Sequence, residues 1–62
     1  MSKYFTNGLE SFRVTNKTIT NRFFLKDGSI KEVTNNYSIE LFNYLMVKDM
    51  QECNYLKFIT IA

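Results

Sequence analysis

The sequence contains no histidine, no proline and no tryptophan, and it has one cysteine and two glycines in 62 residues. Without histidine, neither a Cys/His zinc site nor a Cys–His or Ser–His catalytic pair can form. Cys53 has no second cysteine in the chain with which to form a disulfide. Gly8 and Gly28 stand apart, so there is no glycine-rich loop of the kind that binds phosphate groups. We therefore expect no enzymatic activity, no cofactor and no metal.

What the chain does have is aromatic bulk, with six Phe and four Tyr. Each of these side chains can bury about 150–250 Å², which matters because so short a chain has difficulty completing a core. Disulfides and metals are excluded, so aromatic packing and association with another chain are the remaining ways to stabilise it. The sequence predicts a single small domain over residues 1–62.

The net charge is +2, too balanced to indicate a nucleic-acid-binding protein by itself. The first 34 residues hold six of the eight basic side chains and three of the six acidic ones, so this half is the basic half. The longest apolar run, residues 44–47, is far shorter than the roughly 20 residues of a membrane-spanning helix. With a lone thiol and no apolar leader, we expect a cytoplasmic protein without a membrane span, in the host cytoplasm if a phage encodes it.

Three turn signals divide the first half of the chain. Asn7-Gly8 and Asp27-Gly28 are typical of hairpin turns, and Asn16-Lys17 lies between two alternating segments. These turns predict a four-stranded antiparallel meander over residues 3–34. Its strands are expected at about 3–6, 9–15, 18–26 and 29–34.

Side-chain alternation gives the register of this meander. Two-residue turns would place Val14 opposite Ile19 and Leu25 opposite Ile30. A bulged turn at Gly28 is the alternative, and it would place Phe24 opposite Ile30 instead. In the two-residue register, one face of the sheet is apolar except for Asn21 and Glu32. Its apolar side chains are Phe12, Val14, Ile19, Phe23, Leu25 and Ile30.

The second half changes period and predicts a helix over residues 37–52, capped by Asn36 or Ser38. Its apolar stripe contains Ile39, Leu41, Phe42, Leu45, Met46 and Met50. Residues 55–61 are rich in aromatic and β-branched side chains and predict a C-terminal strand. The expected fold is α+β, in the order β-β-β-β-α-β. Cys53 is expected to be a small core residue.

The apolar content exceeds what one helix on one sheet buries, because Tyr44 and Val47 lie outside the helical stripe and the terminal strand is apolar on both faces. We therefore expect a non-enzymatic binding protein that inhibits or modulates a protein partner stoichiometrically. The partner is either a second copy, giving a homodimer, or a host protein. The short, Asn-, Thr- and Lys-rich sequence is typical of phage or mobile-element accessory proteins. The residues predicted to bind the partner are Leu41, Tyr44, Val47, Tyr55 and Phe58.

The alternative function is nucleic-acid binding by the outer face of the meander. Cations placed around an exposed aromatic ring can bind phosphates while a base stacks on the ring. The residues that would form this face are Arg13, Arg22, Phe24, Lys26 and Lys31. The same pattern is also expected of an ordinary solvated sheet face, so salt dependence is needed to distinguish the two interpretations.

Overall fold

The computed structural model describes residues 2–60 and contains a five-stranded antiparallel sheet with a helix on each face. The elements are β1 Lys3–Thr6, β2 Glu10–Val14, β3 Thr18–Phe24, β4 Ile30–Asn36, α1 Ile39–Met46, β5 Gln51–Cys53 and α2 Tyr55–Thr60. The α+β class is confirmed, and the order β-β-β-β-α-β is present with β5 as its last strand in place of residues 55–61, while α2 follows as an additional element. The strands lie in the order β4-β3-β2-β1-β5, so β4 and β5 form the two edges of the sheet.

The predicted register between β2 and β3 is confirmed, with Val14 opposite Ile19. The turn that joins them is held by Thr15, whose backbone N–H donates to the Thr18 carbonyl at 2.9 Å. The Thr15 hydroxyl also accepts hydrogen bonds from the backbone N–H groups of Lys17 and Thr18. The side chain therefore takes over the backbone hydrogen bonds that a tight reversal leaves open.

The two-residue register between β3 and β4 is wrong, and the bulged alternative is correct, because Phe24 lies opposite Ile30. The Leu25 N–H donates to the Ser29 carbonyl at 2.9 Å, and the Gly28 N–H donates to the Leu25 carbonyl at 3.0 Å. Gly28 has a φ of 87°, a conformation that only glycine adopts without strain. The extra residue in the turn shifts β4 by one position.

This shift exchanges the two faces of β4 relative to the two-residue register. Ile30 and Glu32 lie on the α2 side of the sheet, while Lys31 and Val33 lie on the α1 side. Ile30 is exposed and does not belong to the core, and neither does the exposed Leu25. The predicted apolar face is therefore correct along β2 and the start of β3, and wrong beyond Phe23.

Helix α1 begins at Ile39, two residues after the predicted start, because Ser38, one of the two predicted caps, accepts a 3.0 Å hydrogen bond from the Leu41 N–H through its hydroxyl. It ends earlier than predicted, at Met46 and not at residue 52. Asp49 has a φ of 61°, which cannot continue a right-handed helix. The chain reverses there and returns as β5, which pairs antiparallel with β1.

The predicted strand at 55–61 is wrong, because residues 55–60 form the helix α2, and Ile61 lies outside the described residues. Asn54 caps this helix, since its Oδ1 accepts a 2.8 Å hydrogen bond from the Lys57 N–H. The side chain of Phe58 is buried against the sheet. The cap and this tertiary contact override the strand propensity of the local sequence.

The main core lies between α1 and the sheet. Phe5 and Phe12 stack with ring centroids 5.0 Å apart, and Phe42 of α1 meets both rings edge-on at 5.9 and 6.1 Å. The buried members of this core are Phe5, Phe12, Ile19, Leu45 and Met50. The α2 side is more polar, and its buried side chains include Ser11, Thr6 and Thr20.

Candidate interaction surfaces

An exposed apolar surface lies where the β1–β2 turn meets the end of α1. We call it the helix-end surface and define it by Leu9 of the turn and Tyr44 and Val47 of α1 and its C-cap. These side chains are 79%, 61% and 78% exposed, respectively. Exposed side chains of this size are common singly, but these three lie on two segments that one set of contacts holds together, which makes the segments a candidate binding surface.

Contacts around Lys48 hold the two segments together. The Asn7 side-chain amide donates to the Lys48 carbonyl at 3.0 Å. The Lys48 ammonium lies 3.2 Å from the Glu10 carboxylate and 4.9 Å from the centre of the Tyr44 ring. Lys48 therefore links the turn that carries Leu9 to the helix end that carries Tyr44 and Val47, with both a hydrogen bond and charge.

The turn itself is shaped by Asn7. Its Oδ1 accepts hydrogen bonds from the Leu9 N–H at 2.9 Å and from the Glu10 N–H at 3.0 Å. Gly8 takes the positive φ of 92° that this turn needs. Asn7 thus uses both ends of its side-chain amide, one within the turn and one toward Lys48. The backbone segments that carry the helix-end surface are thus held in place before binding, which lowers the backbone entropy lost on binding.

The structure brings together only part of the predicted partner-binding set. Tyr44 and Val47 lie on the helix-end surface, whereas Leu41 is half-buried against the core. Phe58 is 3% exposed and is not a surface residue, because it lies beneath α2 with its ring centroid 5.1 Å from that of Tyr4. Tyr55 is exposed, but it belongs to α2 on the opposite side of the sheet.

Leu9 is not among the residues predicted from the sequence to bind a partner. The sequence places it at the start of a strand over residues 9–15, whereas β2 begins at Glu10 and Leu9 lies in the turn, 79% exposed.

The predicted nucleic-acid set is not assembled into one basic face. Arg22 is held by Glu32, with its Nη1 2.7 Å from the Glu32 Oε2, and its Nη2 donates to the Ile59 carbonyl at 3.2 Å. Its guanidinium also lies 5.9 Å from the centre of the Phe58 ring. Arg22 therefore fastens α2 to the sheet, and its charge is compensated by a carboxylate.

The other members of that set are divided between different positions. Lys31 lies on the α1 side of the sheet, because the bulge at Gly28 reversed the faces of β4. Lys26 lies in the β3–β4 turn and is exposed. Arg13 and Phe24 stay on the α2 side, and both are half-buried.

Cys53 lies in β5 and is half-buried, so it is not the fully enclosed core residue that the sequence suggested. Partial burial raises the pKa of its thiol above the ordinary value, and the opposing charge of Lys57 is a smaller effect. The thiol is therefore protonated at neutral pH and is a poor nucleophile. It lines an open cleft with Thr6, Asn7, Gln51 and Lys57.

No three His, Cys, Asp or Glu side chains within residues 2–60 are grouped so that they could hold a metal ion. Among the helices of that same range, none is long and apolar enough to cross a membrane. Comparisons with protein-family models, with curated proteins and with solved structures find no match for this chain.

Proposed function

We propose that this protein is a non-enzymatic binding protein that inhibits or modulates a protein partner stoichiometrically, through the helix-end surface. The observation that carries the proposal is the exposure of Leu9, Tyr44 and Val47 on two segments that Asn7 and Lys48 lock together. On the basis of composition, the proposed location is the cytoplasm and the proposed source is a phage or mobile element.

The chemistry of this surface fits a protein partner. Tyrosine is enriched where interfaces gain most of their binding energy, because it offers a large rigid ring and a polar end. Lys48 and Glu10 form a charged border beside the apolar side chains. An apolar centre with a polar rim is the usual anatomy of a protein–protein interface.

A matched pair of double variants tests the proposal. Tyr44→Ser with Val47→Ser removes the apolar part of the helix end. The control, Tyr55→Ser with Leu56→Ser, removes a tyrosine and an aliphatic residue of similar exposure (54% and 64%) on α2. Both variants and the unsubstituted protein serve as bait in a quantitative pull-down, after circular dichroism has confirmed that all three are folded.

The expected result is a partner retained by the unsubstituted protein and by the α2 control, and lost from the helix-end variant. Loss of at least about tenfold is expected, since truncation of a residue at the centre of an interface typically costs more than about 1 kcal/mol and two such residues are removed. Equal retention by all three proteins, or loss from the α2 control alone, would contradict the proposal.

Salt distinguishes this function from nucleic-acid binding, the alternative. Counterion release makes nucleic-acid complexes weaken steeply between about 50 and 200 mM salt. An apolar interface responds little over the same range. If the retained material is nucleic acid and its retention falls steeply with salt, the protein is a nucleic-acid-binding protein and the proposal is wrong.

A further inference from the structure

The β4 edge of the sheet is open along its whole length. All seven residues of β4 are exposed, and no strand within residues 2–60 pairs with its outer side. Natural edge strands are usually protected by proline, a bulge, very short length or charged side chains, above all lysine. Within Ile30–Asn36 there is no proline and the pairing with β3 is unbroken, so the protections present are two charged side chains, Lys31 and Glu32.

The backbone groups that point outward can be assigned. Hydrogen bonds at the two ends of the β3–β4 ladder involve Ser29, whose carbonyl accepts from Leu25, and Tyr37, whose N–H donates to Lys17. Antiparallel pairs alternate between hydrogen-bonded and non-hydrogen-bonded, so the odd-numbered residues of β4 bond to β3. The N–H and C=O groups of the even-numbered residues, 30, 32, 34 and 36, therefore face away from the sheet.

A row of outward donors and acceptors on an extended strand is complementary to another extended strand. We propose that β4 pairs antiparallel with β4 of a second copy of this chain, about a two-fold axis that places Val33 opposite Val33 of the second copy. The two sheets then join into one. This pairing satisfies the outward groups of both edges with about eight new hydrogen bonds.

The charges of β4 favour this register. With Val33 on the axis, Lys31 lies opposite Asn35 and Glu32 lies opposite Thr34, so no like charges meet. Centring the pair on Glu32 would place two carboxylates opposite each other. Centring it on Thr34 would leave Ile30 and Lys31 beyond the paired strand. The register on Val33 also pairs the full length of β4.

Pairing of β4 with β4 of a second copy is favoured over pairing of β4 with β5 of another molecule, because only the first arrangement pairs the whole strand and closes at a dimer. The opposite edge, β5, has three residues, so β4 pairing with β5 of another molecule would leave most of β4 unsatisfied. That arrangement is also head-to-tail, which gives larger rings or open chains of molecules, whereas pairing β4 with β4 closes at a dimer. The pairing uses none of the helix-end surface and stands whether or not the proposed partner binds there.

Engineered disulfides test the register directly. In a Cys53→Ser background, Val33→Cys places two thiols opposite each other in a non-hydrogen-bonded pair, with Cα atoms about 4.5 Å apart. Lys31→Cys is the matched control, because its mate in the second copy is Asn35 and the two introduced thiols are more than about 10 Å apart. We expect disulfide dimers to form at least about tenfold faster with Val33→Cys than with Lys31→Cys.

Sedimentation equilibrium of the unsubstituted protein provides the second readout. A concentration-dependent dimer is expected, and Thr34→Pro should abolish it, because it removes an outward N–H that the monomer does not use. Thr34→Val is the control, because it also loses the hydroxyl contact with Thr20 but keeps the N–H, and it should still dimerise. Three results would each overturn the proposal: a monomer at every concentration, a Thr34→Pro protein that still dimerises, or disulfide formation at Lys31→Cys as fast as at Val33→Cys.

Discussion

Strands β2 and β4 belong to the same sheet, yet within residues 2–60 the middle of β2 is buried on both faces and β4 is exposed on both. In β2, the neighbours Ser11 and Phe12 point to opposite faces and both are fully buried. In β4, the neighbours Glu32 and Val33 also point to opposite faces, and both are exposed. Both strands are extended and regularly paired, so the difference comes from the edge position of β4 and from where the two helices lie.

Two short helices cannot cover five strands. A helix is about 10 Å wide, whereas strands are spaced about 4.8 Å apart, so one helix covers two strands and part of a third. Helix α1 packs against Phe5 and Phe12, and α2 packs against Tyr4 and Ser11, all on β1 and β2. Both helices therefore lie over β1 and β2 and reach the start of β3, where Ile19 and Thr20 are buried on opposite faces. The side of the sheet that ends at β4 remains exposed and available for association.

The largest difference between β2 and β4 should appear in the free energy of unfolding when each strand loses an apolar side chain. Phe12→Ala leaves a cavity beneath α1 and should lower the free energy of unfolding by about 3–5 kcal/mol. For so small a domain this is most of the stability. Chemical denaturation followed by circular dichroism measures it.

Val33→Ala is the matched change in β4 and should lower the free energy of unfolding of the monomer by less than about 1 kcal/mol. The comparison is made at a concentration at which the protein is monomeric. Equal losses for Phe12→Ala and Val33→Ala would mean that β4 is covered as well as β2 is, which would remove the basis of the comparison.

The next largest effect concerns α2. Phe58→Ala removes the ring that packs on Tyr4 and lies beneath Arg22, and it should cost about 3 kcal/mol. Amide exchange in α2 should accelerate more than exchange in α1. Leu56→Ala, an exposed position on the same helix, should change stability by no more than about 0.5 kcal/mol.

An intermediate effect is expected at Asn7. Asn7→Ala removes three side-chain hydrogen bonds, two within the β1–β2 turn and one to the Lys48 carbonyl. Stability should fall by about 1–3 kcal/mol, and the exchange of amides near Leu9 and Val47 should accelerate. Asn7→Asp keeps the acceptor in the turn and loses the donor to Lys48, so it should cost less than Asn7→Ala.

The smallest effect is electrostatic and lies at the tip of the β3–β4 hairpin. The pKa of Asp27 is lowered by hydrogen bonds from the hydroxyl and the backbone N–H of Ser29. A carboxylate whose pKa is lower in the folded than in the unfolded state stabilises the fold at pH values above the unfolded-state pKa. This stabilisation is lost as the pH falls through the folded-state pKa. NMR titration should find the Asp27 pKa below 3.8, and Ser29→Ala should raise it. An unchanged pKa in Ser29→Ala would mean that the turn does not hold the carboxylate.

The sequence predicted the fold class, the meander and the β2–β3 register, because each follows from local turn chemistry and alternation. The β3–β4 register depended on one turn, and the type I turn with a bulge at Gly28 differs from a two-residue turn by a single residue. Both turns fit the Asp27-Gly28 pair, so the local sequence did not distinguish them.

The C-terminal third was harder to predict because its structure depends on tertiary contacts. The positive φ of Asp49 ends the helical segment and allows Met50 to enter the core. Residues 55–60 have the composition of a strand but form a helix, since Asn54 caps them and Phe58 finds a site on the sheet. The packing of α2 on the sheet buries Phe58 and brings Arg22 into contact with the helix, so both residues have a structural role. Of the predicted partner-binding set, Tyr44 and Val47 stayed together because they lie on one short helix end.

Amide hydrogen exchange along β4, measured by NMR at low and high protein concentration, tests the central claim most directly. At low concentration, the amides of Lys31, Val33 and Asn35 should be protected and those of Glu32 and Thr34 should exchange freely, because only odd-numbered residues bond to β3. At high concentration, the amides of Glu32 and Thr34 should become protected as well. Even-numbered amides that exchange freely at every concentration, or a pattern with no alternation, would contradict an open edge that pairs with a second copy.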